Sequence, residues 1–87
     1  MRYSVIETFT QGARPVYERA RDSGRMLPEG LDYVESWVTE GLGGCFQLME
    51  TDDPALFDTW TARWADLAEF EIVPVLASAD AAAQALR

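Results

Sequence analysis

The sequence predicts an α+β fold in the order β-α-β-β-α-β with a short extra helix at its end. Four antiparallel strands form one sheet, and two helices cover one of its faces. Three observations carry this expectation. Period-two alternation occurs in four separate stretches, and helical periodicity follows the first and the third of them. Turn chemistry separates the stretches: Gln11-Gly12, Pro28 with Gly30, the run TEGLGG, and Asp53-Pro54. Lengths also agree, since a helix of about 14 residues spans roughly 21 Å and a strand of six or seven residues spans roughly 20–23 Å.

The first strand is Arg2 to Phe9. Tyr3, Val5, Glu7 and Phe9 share one face, and Ser4, Ile6 and Thr8 the other. The first helix is ARPVYERARDSG, with Pro15 tolerated in its first turn and Gly24 as its stop. Val16, Tyr17 and Ala20 form its inner stripe. RMLPEG then reads as a loop. The second strand, Leu31 to Val38, places Tyr33, Glu35 and Trp37 on one face and Val34, Ser36 and Val38 on the other. TEGLGG is a glycine-rich hairpin connection. The third strand, Cys45 to Thr51, sets Cys45, Gln47 and Met49 opposite Phe46, Leu48 and Glu50.

Asp53-Pro54 opens the second helix as N-cap and N1 residues. Leu56, Phe57, Trp60, Trp64 and Leu67 recur at helical spacing and predict its buried stripe. The fourth strand, Glu69 to Leu76, has Phe70 and Ile72 opposite Glu71, Val73 and Val75. Pro74 has no N–H to donate and so predicts a sheet edge or a bulge. SADAAAQALR reads as a short helix capped by Ser78. No repeat, low-complexity tract or linker interrupts residues 1–87, which read as one domain.

This order is the split βαβ, or ferredoxin-like, arrangement. Two helices leave one sheet face open. The expected helix-side core is Ile6, Val34, Val38, Phe46, Leu48, Phe70 and Ile72 against Trp60 and Trp64. The expected open face carries Tyr3, Val5, Glu7, Phe9, Tyr33, Glu35, Trp37, Cys45, Gln47, Met49, Val73 and Val75. An exposed apolar face of that size marks an interaction surface. A second copy, paired through the open face about a two-fold axis, is the expected cover.

Composition narrows the function classes. Seven basic residues, all arginine, oppose fifteen acidic ones, giving a net charge of −8. Nucleic-acid phosphates and anionic membrane surfaces are therefore not expected partners. The chain has no histidine, which removes the commonest general base and metal ligand. Cys45 is the only cysteine, which rules out an intrachain disulfide and suits a reducing cytoplasm. No stretch approaches the ~20 apolar residues of a membrane span, and the first residues lack a secretory h-region. A cytoplasmic protein is the expectation.

MRYSVIETF, GRMLPEGLDYVESWV, CFQLMETDDPALFDTWTARWADL and FEIVPVLAS resemble the bacterial domain-of-unknown-function family 3303. The resemblance covers nearly the whole chain, and CFQLMETDD with the following tryptophans is its most specific part. It implies the dimeric α/β-barrel superfamily, with ferredoxin-like protomers paired sheet to sheet. That superfamily includes cofactor-free monooxygenases, lactone isomerases, haem-degrading enzymes, chlorite-dismutase-like proteins and ligand binders. The family supplies no catalytic residue to carry over, and the missing histidine departs from the superfamily's haem enzymes.

Among the residues, Glu7 is the candidate general base. A carboxylate set among Tyr3, Val5, Trp37 and Met49 is desolvated, which moves its pKa toward neutrality. The plainer reading pairs it with an arginine or a tyrosine hydroxyl across a dimer. Gln47 is a candidate to orient a ligand carbonyl or hydroxyl, and Trp37, Tyr33, Tyr3 and Met49 to contact a planar apolar ligand. Interface packing is the simpler use of the aromatic residues. Trp60 and Trp64 read as helix core. Cys45 reads as a small strand residue, since no histidine or lysine stands ready to activate it. Asp52 and Asp53 read as helix-start residues, and neither a metal nor a cofactor is expected. The first functional reading is a homodimer that binds a small hydrophobic molecule, in a cavity between sheet and helices or at the dimer face. A cofactor-independent enzyme using Glu7 and a dimerisation module without a ligand are the alternatives.

Overall fold

The computed structural model describes all residues, Met1–Arg87. Its elements are β1 (Arg2–Phe9), α1 (Ala13–Ser23), β2 (Asp32–Val38), β3 (Gly44–Glu50), α2 (Leu56–Ala62), β4 (Ala68–Val75) and α3 (Ser78–Ala85). The four strands form one antiparallel sheet in the order β2-β3-β1-β4. This is the ferredoxin-like arrangement. β4 lies at an edge, as Pro74 requires of a residue without an N–H.

The two faces of the sheet differ from expectation. Val5, Phe9, Cys45 and Met49 are buried and join Val16, Phe57, Trp60 and Trp64 in one core. The face carrying Tyr3, Val5, Glu7 and Phe9 is thus covered by the helices. Ile6, Phe46 and Leu48 lie on the open face. The expected assignment of these β1 and β3 residues is therefore reversed. For β4 it holds, because Ile72 pairs with Val5 and Phe70 with Glu7, on the helix side.

The reason for the reversal is volume and pairing. Along β1, Tyr3, Val5 and Phe9 present more apolar surface than Ser4, Ile6 and Thr8, so burying their face removes more of that central strand's apolar surface from water. The polar cost of burying Glu7 and Gln47 is offset because each serves the other as a hydrogen-bond partner.

β2 carries a second difference. Its register against β3 shifts between Tyr33 and Glu35, so Val34 is an extra residue. A bulge of one residue inverts the alternation beyond it. Tyr33 faces the helices opposite Met49, whereas Glu35 and Trp37 face outward opposite Leu48 and Phe46. The expected grouping of Tyr33, Glu35 and Trp37 on one face is broken by that single residue. Ser36 and Val38 fall on the helix side with Tyr33.

α2 is shorter than the expected 14 residues, with regular helix only over Leu56–Ala62. Tighter i→i+3 bonds flank it: Leu56 to Asp53, Phe57 to Pro54, Trp64 to Thr61 and Leu67 to Trp64. Such turns are common at helix ends, and they keep Trp60 and Trp64 on the inner side. Asp53 Oδ1 accepts from the Ala55 N–H at 3.1 Å, closing the first turn. Ser78 does not cap α3: Ala77 holds the N-cap position, and no side chain bonds there. α3 buries none of its residues.

Candidate functional site

The buried side of the sheet is not filled solid. A cavity of about 450 Å³ lies between the sheet and the helical layer. Glu7, Gln47, Cys45 and Ser36 line it from the strands, Val16 and Tyr17 from α1, and Trp60 and Trp64 from the second helical segment. Arg25 stands in its wall just after α1.

Strand geometry brings Glu7 and Gln47 together. Glu7 is opposite Cys45 and Gln47 opposite Val5, so the two are diagonal neighbours on the same face. Gln47 Nε2 donates to Glu7 Oε1. Glu7 is 6% and Gln47 5% exposed. Burial pushes the Glu7 carboxyl above its usual value, while the Gln47 bond and the nearby Arg25 charge pull the other way. Glu7 Oε2 makes no hydrogen bond within the chain and is left for the cavity.

Arg25 Nη1 donates to Gln47 Oε1 at 3.0 Å, extending the chain of polar groups from guanidinium through amide to carboxyl. The guanidinium carbon lies 3.6 Å over the Tyr33 ring, within the range of a cation–π contact. Tyr33 in turn shares a 2.7 Å hydroxyl bond with Ser36.

The backbone of Arg25 is equally fixed. Its carbonyl oxygen accepts from the indole N–H of Trp60 at 2.9 Å and of Trp64 at 3.0 Å. The next carbonyl, of Met26, accepts from Arg63 at 2.6 Å. Gly24, at φ 67°, ends α1 and turns the chain into this position. A left-handed φ of that kind suits glycine. The tryptophans thus have two tasks: their rings wall the cavity, and their N–H groups anchor the segment that carries Arg25.

Cys45 lies in the cavity wall with its thiol pushed up to about 11 by burial and then by the Glu7 carboxylate. At neutral pH it is a thiol and a poor nucleophile. Gly44 has a different role. A Cβ at this position would collide with the Glu7 carbonyl oxygen, so glycine is what lets β1 and β3 close beside the site.

The candidate residues divide clearly. Glu7 and Gln47 line the cavity together, and Tyr33 supports it from beneath Arg25. Met49 is fully buried, and Tyr3 packs edge-on against Phe57 at 5.0 Å. Neither of these two lines the cavity. Trp37 is 60% exposed on the opposite face, away from Glu7. Sequence reasoning missed Arg25, which read as part of a loop. Its only signal was position, directly after the glycine that ends α1. Trp60 and Trp64 were expected as core alone.

Fold and cavity together define a ferredoxin-like α+β protein with a polar-floored pocket between its layers. The chain belongs to the family described as Domain of unknown function (DUF3303), whose model matches residues 1–87, the whole chain. No curated protein and no solved structure matches it. No helix is long and apolar enough to cross a membrane.

Proposed function

We propose that this protein binds a small, largely apolar molecule in the cavity between sheet and helices, and that it does so as a cytoplasmic homodimer. One observation carries the binding reading: a hollow of about 450 Å³ whose floor holds two deeply buried polar side chains, Glu7 and Gln47. Ligand pockets typically combine a volume of ~300–1,000 Å³ with apolar walls and a few convergent polar groups. Phe9, Val16, Trp60 and Trp64 supply the walls. Glu7 and Gln47 orient the ligand, and no cofactor is needed for that task.

The open sheet face supports the homodimer. Trp37 and Phe46 are register partners there, 60% and 47% exposed, and Val73 is 37% exposed. Ile6 and Leu48 continue the strip across the central strands. A contiguous patch of this kind is costly in water and suits self-pairing about a two-fold axis. Trp37 then acts as an interface anchor rather than a ligand contact.

A thermal-shift screen with naphthalene- and quinone-like compounds tests binding, since a ligand that binds only the native form raises Tm. A panel that leaves Tm unchanged argues against the reading. Sedimentation of wild type and Trp37→Ser tests the dimer. Wild type should sediment as two copies and the variant as one. A wild-type monomer at micromolar concentration removes the homodimer.

A second reading is a cofactor-independent enzyme, monooxygenase- or isomerase-like, with Glu7 as the proton acceptor. The raised carboxyl pKa and the free Oε2 favour it. Glu7→Gln keeps the shape and should abolish turnover while sparing binding.

A further inference from the structure

We infer that the cavity takes an amphipathic molecule bearing a carboxylate, and that Arg25 is the anchor for that carboxylate. This rests on the pocket reading proposed above and adds the chemical class of the ligand.

The first support is the state of the arginines. Arg2, Arg14, Arg19 and Arg21 each have a carboxylate within 4.0 Å. Like Arg63 and Arg87, Arg25 has none, although the chain carries fifteen acidic side chains against seven basic ones. It is also the only cation lining the cavity. Arg25 is exposed, so what sets it apart is its place at the cavity, where its charge is not already neutralised by a carboxylate ion pair.

The second support is preorganisation. The guanidinium lies on the Tyr33 ring at 3.6 Å, and one N–H is held by Gln47 at 3.0 Å. Its carbonyl is held by two indoles. The remaining guanidinium N–H groups meet no acceptor within the chain. A fixed planar fork with free donors matches the two oxygens of a carboxylate, and holding it in place beforehand lowers the entropy lost on binding.

The third support is how charge is distributed in the pocket. Glu7 would oppose an incoming anion if it were ionised. It lies beyond Gln47, and burial favours its neutral form. An arriving carboxylate would favour that form further, so burial of Glu7 lessens its opposition to an anion. The net charge of −8 resists approach from solution. Those charges are spread over the surface and screened beyond ~8 Å at physiological salt, whereas Arg25 acts at contact.

The test uses three probes with one ring system: 2-naphthoate, 2-naphthylmethanol and 2-naphthylmethylammonium, titrated calorimetrically into the full chain at pH 7. The acid should bind at least tenfold tighter than the alcohol, and the ammonium most weakly. Arg25→Gln should close the gap between acid and alcohol. Equal affinities, a tighter ammonium, or a preference that survives in Arg25→Gln would overturn the inference while leaving the pocket reading intact. Binding by none of the three removes both. If Arg25→Gln does not fold, the wild-type ranking decides alone.

Discussion

Gln47 donates its side-chain amide to the Glu7 carboxyl diagonally across the β1–β3 ladder, with both residues at least 94% shielded from solvent by their 6% and 5% exposure. The bond lets a sheet face with two strongly polar residues become the buried face. It also sets the first test. Gln47→Leu leaves Glu7 buried without that donor and should cost about 1–3 kcal/mol in denaturant unfolding. Glu7→Leu combined with Gln47→Leu should lose less than the sum of the single variants, because no orphan remains.

The Glu7 carboxyl has a folded-state pKa above its ordinary value. The native state therefore holds this proton at pH values where the unfolded chain has released it. The stability from the protonated form is fully present below the ordinary carboxylate pKa and is lost as pH rises through the folded pKa. Urea midpoints of wild type minus those of Glu7→Gln should decline across that interval and then level off. Subtracting the variant removes the contribution of the other acidic groups. A flat difference would show that Glu7 titrates as it does in water.

Thiol chemistry gives an independent reading of the cavity. With its pKa pushed to about 11, Cys45 in the native protein should react slowly with iodoacetamide at pH 8. Denaturation in urea should accelerate labelling by more than tenfold. Rapid native labelling would mean that the wall beside Glu7 opens freely.

The approach of β1 to β3 depends on Gly44. Gly44→Ala forces a methyl against the Glu7 carbonyl oxygen, a backbone atom that cannot swing aside. We expect a loss of about 1–3 kcal/mol. Gly43→Ala, where a Cβ meets nothing within 4 Å, should change stability by no more than about 0.5 kcal/mol. Chemical denaturation of the pair separates this close contact from a general intolerance of alanine in the hairpin.

Element order was legible from the residues because it rests on local chemistry. Gly24 ended α1, Pro74 marked an edge strand, and the alternation Tyr3-Val5-Glu7-Phe9 lay on one strand face as read. Glu7 and Gln47 were each legible as candidates, since both broke an apolar pattern, but their bond to one another was not. Arg25 was not, because nothing near it in the chain tells where its side chain goes. Trp60 and Trp64, 35 and 39 residues away, fix it through their indole N–H groups.

By itself the sequence determined the strands, the helices, their order and, on β1, β3 and β4, which neighbours share a side, since φ/ψ preference and side-chain period act within a few residues. Only the tertiary structure decided which side the helices cover, that Val34 bulges and turns Trp37 away from Glu7, and that Arg25 meets Gln47. Those outcomes depend on register and packing between segments far apart in the chain. One extra residue in a strand, or one satisfied polar pair, reverses them without altering the local pattern.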